Sequence, residues 1–221
     1  MKSLTRISEK SENTRAAEIL RRLKKEYTVA SIALEYQTPF QLLISTILSA
    51  QCTDERVNLV TKSLFKKYRK PEDYLRVANQ ELEKDIFSTG FYRQKAKSIK
   101  NCCKTLLENF NGKVPEDFDS LNSLPGVGRK TASVVAGNAF GIPAIAVDTH
   151  VIRLSNLMGF VDSKDPAKIE EKLKELFPKN DWINLGHYIM NHGRKVCIAR
   201  RPKCTECTIG DLCPSFNPNN E

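Results

Sequence analysis

Three features of this 221-residue sequence predict an all-α protein. Apolar residues recur three and four positions apart through most of the chain, the period of one helix face. Gly, Pro, Asn or Asp punctuates the gaps between these stretches. Only IPAIAV, at 142–147, has the composition of a strand; it is short and runs straight into Asp148.

The helical series opens with AAEILRRLKKEY (16–27). The preceding MKSLTRISEKSENTR lacks the apolar stretch of a secretory signal; it mixes Lys, Arg and Ser with Glu and reads as a frayed basic tail, with a transit peptide as the alternative. PFQLLISTILSAQ (39–51), DERVNLVTKSLFKKY (54–68), QELEKDIFSTG (80–90) and RQKAKSIKNCCKTLLENF (93–110) follow. A short helix around Asp117–Ser123 leads to GRKTASVVAGNAF (128–140). DTHVIRLSNLMGF (148–160), PAKIEEKLKELF (166–177) and WINLGHYIMNHGRKVC (182–197) complete about nine or ten helices with short connections. There is no internal repeat and no low-complexity linker, and the pattern breaks near Gly141-Ile142-Pro143.

Thirty-five Lys and Arg against 26 Asp and Glu leave a net charge of +9. That balance favours a polyanionic partner, nucleic acid first and an anionic membrane surface second. No apolar run approaches the ~20 residues of a membrane span. An intracellular, reducing compartment is expected, where structural disulfides are uncommon.

The stretch LPGVGRKTA, Leu124 to Ala132, raises a chemical question. Backbone N–H groups at a helix start have no intrahelical partner. Glycines ahead of them let another backbone approach, which makes an anion site. Pro125-Gly126-Val127-Gly128 therefore suits a phosphate, and with the preceding helix it forms a helix-hairpin-helix that grips DNA backbone without reading bases. An ordinary tight turn between packed helices is the alternative. Arg129 and Lys130 then stand in the first helical turn, where the macrodipole disfavours each cation by up to about 1 kcal/mol. A partly desolvated lysine there loses its proton more readily, and a neutral amine is a nucleophile. A lysine taken at random would simply touch phosphate, but one that breaks a local rule beside a backbone grip points to function. Asp148 lies 18 residues on, at the start of the next helical pattern. An N-cap role is expected there and is compatible with catalysis, because the cap holds the carboxylate in one direction.

Cys197, Cys204, Cys207 and Cys213 form C-x6-C-x2-C-x5-C within 17 residues. In an intracellular chain such a cluster reads as a metal site, not as two disulfides. Zinc and a [4Fe–4S] cluster are both served by four cysteines. One close pair between two wider arms favours iron–sulfur. Arg200, Arg201 and Lys203 sit inside the first cysteine loop, where an anchored loop would present them to phosphates. Cys52, Cys102 and Cys103 fall within helical patterns and read as inert thiols.

Taken together, LPGVGRKTA, the AVDTH that follows and the cysteine spacing resemble endonuclease III, the bifunctional DNA glycosylase of base excision repair. The resemblance covers the chain from about Ala16 to Cys213. It implies a two-lobed helix-hairpin-helix glycosylase fold. Residues 32–142 would form a six-helix bundle, and 1–31 with 143–221 an N-terminal helix plus a [4Fe–4S] domain. It implies that Lys130 is the nucleophile that attacks sugar C1′ and forms a Schiff base, with Asp148 as the required carboxylate. Gln51, in LSAQCTD, matches the residue that fills the gap left by a flipped nucleotide. Phe91, in TGFYRQKA, matches an apolar wedge where relatives often carry Leu. Gly126, Gly128, His150, Arg200, Arg201 and Lys203 join these as expected DNA contacts. The implied partner is double-stranded DNA carrying a damaged pyrimidine or an abasic site. A monomer is expected in a bacterial or archaeal cytoplasm, with eukaryotic nuclear or organellar sites as alternatives.

Three rival readings stand beside this one. The adenine-excising relative uses a catalytic acid before the Gln51 region, where Ile44-Ser45-Thr46-Ile47-Leu48 offers no carboxylate, and it lacks the lysine. A non-catalytic, metal-stabilised DNA-binding protein would bind without chemistry. A zinc-bound nucleic-acid module is the third.

Overall fold

The computed structural model describes residues 9–28 and 31–218. Among them are eleven α-helices, four single 3₁₀ turns and no strand. IPAIAV is the exception to the sequence expectation: it lies in no helix or strand, although Ala144, Ile145 and Val147 are buried. The chain divides into two units between Ala144 and Ile145. No described helix is long and apolar enough to cross a membrane.

The unit Ile32–Ala144 is built around α2 (Pro39–Leu48). Thr38 caps it, accepting from the Gln41 N–H at 3.2 Å, and Pro39 takes the first position, where no N–H is needed. Every residue from Leu42 to Leu48 is buried, so this helix is enclosed on all sides. Fully burying each of its leucines and isoleucines contributes roughly 1.5–3 kcal/mol. α3 (Asp54–Lys67) begins at Thr53 with Asp54 and Glu55 in its first turn and ends on Lys66 and Lys67, complementing its dipole at both ends. α4 (Pro71–Arg76) is too short to show periodicity in the sequence; α5 (Asn79–Asp85) follows. α6 (Tyr92–Phe110) ends where Asn111 and Gly112 turn left-handed and the Gly112 N–H reaches back to Leu106 O at 2.9 Å. α7 (Phe118–Ser123) and α8 (Arg129–Phe140) close the unit. Where the resemblance implies six helices here, seven segments are present once six-residue α4 is included. α3, α6 and α8 all pack on α2.

The second unit combines α1 (Glu9–Glu26) with α9 (Thr149–Leu157), α10 (Pro166–Leu176) and α11 (Trp182–Lys195). Ile19 and Leu23 meet Val151, Leu154, Ile169, Leu173, Leu185 and Ile189 in its core. Part of the expected tail is helical: α1 starts at Glu9, and Arg15 earns that extension by donating to Met158 O at 2.6 Å and Leu212 O at 3.2 Å. Residues 1–8 of the tail lie outside the described residues.

One glycine is required by the fold itself. Gly126 has φ +79°, and a Cβ there would come within 2.6 Å of Ser98 Cβ on α6. Gly126→Ala is expected to destabilise the protein by about 1–3 kcal/mol through strain and this clash, read as a lower denaturant midpoint with unchanged slope.

Candidate functional site

The α7–α8 hairpin is organised by short-range bonds. Asp117 caps α7, accepting from the Ser120 N–H at 2.8 Å, and that bond holds its carboxyl below the usual range. The Val127 N–H returns to Leu124 O at 3.0 Å, and the Val127 side chain is buried. Gly128 differs from Gly126: its φ of −95° suits any residue, and an added Cβ would meet nothing within 4 Å. No side chain caps α8, and no acid stands in its first turn. Its first turn thus has no side-chain cap, and the space at the Gly128 Cβ position is open. The Arg129 guanidinium lies 5.1 Å from the centre of the Phe118 ring. Lys130 is exposed, which corrects the expected partial desolvation. The buried face of α8 begins only at Ala132, so the chain alone does not dry this amine.

Gln51 and Phe91 share an unusual backbone. Only three described non-glycine residues have positive φ: Gln51 at 54°, Phe91 at 48° and Asn111 at 53°. Asn111 ends a helix, where the left-handed turn is routine. The other two are exposed, Gln51 in the turn between α2 and α3 and Phe91 ahead of α6. A left-handed glutamine or phenylalanine costs on the order of 1 kcal/mol or more, and such strain concentrates at functional positions. At 64% exposed, the Phe91 side chain is no part of the core. Phe87, 62% exposed, stands nearby with its ring 4.9 Å from that of Tyr92.

Asp148 caps α9 as expected, accepting from the Val151 N–H at 2.9 Å. A residue the sequence reading missed, His187 on α11, feels its charge: burial pushes the imidazole down and the Asp148 carboxylate pulls it part of the way back. His150, half-buried, packs against α11 where Gly193 makes room; a Cβ there would lie 2.7 Å from His150 Nδ1.

All seven cysteines are free thiols. Cys197, Cys204, Cys207 and Cys213 together line one cavity of about 430 Å³, with Arg153 and His192 in its wall. Backbone bonds shape this loop: the Cys197 N–H donates to His192 O at 2.8 Å and the Lys203 N–H to Val196 O at 3.0 Å. Arg153 donates to Cys197 O at 2.7 Å, with its other terminal nitrogen 3.7 Å from Cys197 Sγ. His192 is buried, with Nε2 3.5 Å from Cys207 Sγ and Nδ1 3.0 Å from the Tyr27 hydroxyl. Burial pushes the Cys207 thiol up to about 11, and the three other cysteines add to that. Burial raises the Cys213 thiol as well, so a positive charge beside Cys207 and Cys213 would favour their thiolates. No three His, Cys, Asp or Glu side chains among the described residues converge closely enough to bind one metal ion. Arg200, Arg201 and Lys203 are exposed, although Lys203 Nζ lies 3.6 Å from the Glu206 carboxylate.

Known proteins resemble this chain over most of its length. Residues 44–179 match the family described as HhH-GPD superfamily base excision DNA repair protein. The chain is 52% identical to Endonuclease III of Synechocystis sp. over 206 residues, covering 93% of this chain and 94% of that one. It is 50% identical to Endonuclease III of Bacillus subtilis over 185 residues, 83% of this chain and 84% of that one. The structure of a trapped Endonuclease III–DNA covalent intermediate aligns with a TM-score of 0.89 at 46% identity, covering 92% of this chain and 96% of that one.

The Asp148 cap separates stability from chemistry. Asn caps as well as Asp, so Asp148→Asn should change unfolding free energy by less than about 0.5 kcal/mol, whereas Asp148→Ala should cost about 1 kcal/mol. Urea denaturation of both variants measures the difference.

Proposed function

Because this chain belongs to the HhH-GPD superfamily of base excision DNA repair proteins, we propose that it excises oxidised pyrimidines from double-stranded DNA and cleaves the resulting abasic site through an imine on Lys130. The observation that carries this reading is Lys130 itself. It stands exposed in the first turn of an uncapped helix, two residues after a glycine with open space at its Cβ position. Phosphate bound by the hairpin and a nucleotide over the amine would supply the dry surroundings that the chain does not.

A base in the stack hides its sugar carbon, so the nucleotide is extruded at a cost of a few kcal/mol. Gln51 and Phe91 offset that cost by occupying the gap, their left-handed backbones presenting both side chains outward. Saturated-ring pyrimidines stack poorly and leave readily, which makes them the preferred substrates. The uncharged Lys130 Nζ attacks C1′ as the glycosidic bond breaks and the base departs with the bonding pair, taking up a proton. Asp148, held by its cap, receives a proton from the amine and faces the positive charge that develops on the sugar. Ring opening leaves the imine, loss of a 2′ proton expels the 3′ phosphate, and the strand is nicked 3′ to the lesion.

The four cysteines fit a [4Fe–4S] cluster. They wall one cavity, and their C-x6-C-x2-C-x5-C spacing sets one close pair between two wider arms. When bound, the cluster would cross-link the C-terminal loop. Cys197 would be steadied in this role by Arg153, which donates to its carbonyl at 2.7 Å and stands 3.7 Å from its Sγ. Arg200 and Arg201 then meet phosphates from a fixed loop.

Borohydride reduction tests the imine. Wild type should form a covalent adduct with abasic or lesion-bearing duplex and Lys130→Gln none; absence of a wild-type adduct would favour the non-catalytic DNA binder. Lys130→Ala should lose strand cleavage by about 10³-fold or more, with affinity falling less than about tenfold because one cation among many is removed. Asp148→Asn should slow base release by about 10²-fold in single-turnover assays. Iron and acid-labile sulfide should each approach about four per chain, and Cys207→Ser should cut soluble yield more than it alters chemistry on the protein recovered.

A further inference from the structure

A charged group in the bundle is used by none of these steps. Lys95, on the first turns of α6, is only 5% exposed. Its Nζ donates to Leu48 O at 2.7 Å and to Thr89 O at 2.8 Å, carbonyls lying 47 and 6 residues earlier in the chain. Its own backbone N–H donates to Phe91 O at 3.0 Å. Burying an ammonium is unfavourable unless its hydrogen bonds are made, and burial does push Lys95 down. Methionine or leucine would fill this volume at less cost, so the charge calls for a reason beyond packing.

The two acceptors supply that reason. Leu48 is the last residue of α2, and the turn that follows it carries Gln51. Thr89 is buried and directly precedes Gly90, at φ +71°, and Phe91. One nitrogen therefore ties together the entries to both exposed, left-handed side chains. We propose that Lys95 is a positioning residue that locks the Gln51 and Phe91 turns in one register, so that both side chains enter the DNA gap as a single preformed unit. The idea rests on the gap-filling part given to Gln51 and Phe91 above. Preforming the pair removes the ordering cost of two separate insertions at the moment the nucleotide leaves the stack.

A pairing-dependent rate comparison tests it. Single-turnover base release is measured on one lesion opposite a normal base and, in a second duplex, opposite an abasic nucleotide, where no orphaned base has to be held away. Lys95→Met is expected to lower the rate on the first duplex by about 10- to 100-fold, since small misplacements of inserting groups carry that scale of loss. On the second duplex the same variant should lose less than about threefold, because chemistry at Lys130 is untouched. An equal loss on both duplexes, with a melting curve showing a folded protein, would reduce Lys95 to a structural residue and overturn the proposal; so would no loss on either. Should Lys95→Met fail to fold, Lys95→Gln, which keeps a donor for one carbonyl, decides in the same way: a raised ratio supports the proposal and a wild-type ratio sinks it. Gln51→Ala and Phe91→Ala run alongside. If neither shows the pairing-dependent loss, the gap-filling reading fails by itself; if both do and the Lys95 variants do not, only the lysine's part is wrong.

Discussion

The enclosure of α2 is the constraint on which the bundle depends. Seven consecutive buried residues, Leu42 to Leu48, leave this helix no solvent face, and three neighbours are positioned by packing on it. α8, which carries Lys130, is one; α6, which begins beside Phe91, is another; α3, which follows Gln51, is the third. Close-packed interiors transmit displacement instead of absorbing it. The elements that bear Lys130, Gln51 and Phe91 thus take their positions from a single hydrophobic rod. The enclosure admits polar atoms sparingly: Thr46 Oγ1 satisfies itself on Leu42 O at 2.7 Å, while Ser45 Oγ is buried with no hydrogen-bond partner.

In the other unit the organising element is a loop with little apolar content. Cys204–Glu206 and Gly210–Leu212 are single 3₁₀ turns, and around them Arg15, Arg153 and His192 reach in from helices to bond carbonyls or approach sulfur. The two arginines are donors, and a donor beside sulfur stabilises thiolate charge.

What the sequence revealed followed from local chemistry. Thr38-Pro39, Thr53 with two acids behind it, and Asp148 each mark a helix start by a short-range bond, and each bond is made. The four cysteines announce themselves by spacing, and they meet at one cavity. Features that depend on distant partners were hidden. Lys95 lies in RQKAK, which reads as a solvated helix face, because nothing local shows that Leu48 and Thr89 will offer carbonyls there. His187 is silent for the same reason, since its link to Asp148 is electrostatic and crosses 39 positions of chain. IPAIAV has strand composition, yet composition cannot supply a neighbouring strand. Lys130 misled in the opposite sense: its place in the helix was legible, its exposure was not.

The two glycines of the hairpin turn answer to different masters. Gly126 is demanded from within, by its own dihedral angle and by Ser98 against it; Gly128 meets no such demand, having an ordinary φ and vacant surroundings. Two positions two residues apart thus divide the selective pressures that usually arrive mixed. Variation tolerated at the first would report on how the polypeptide holds itself together, and variation tolerated at the second on how closely a foreign backbone must come.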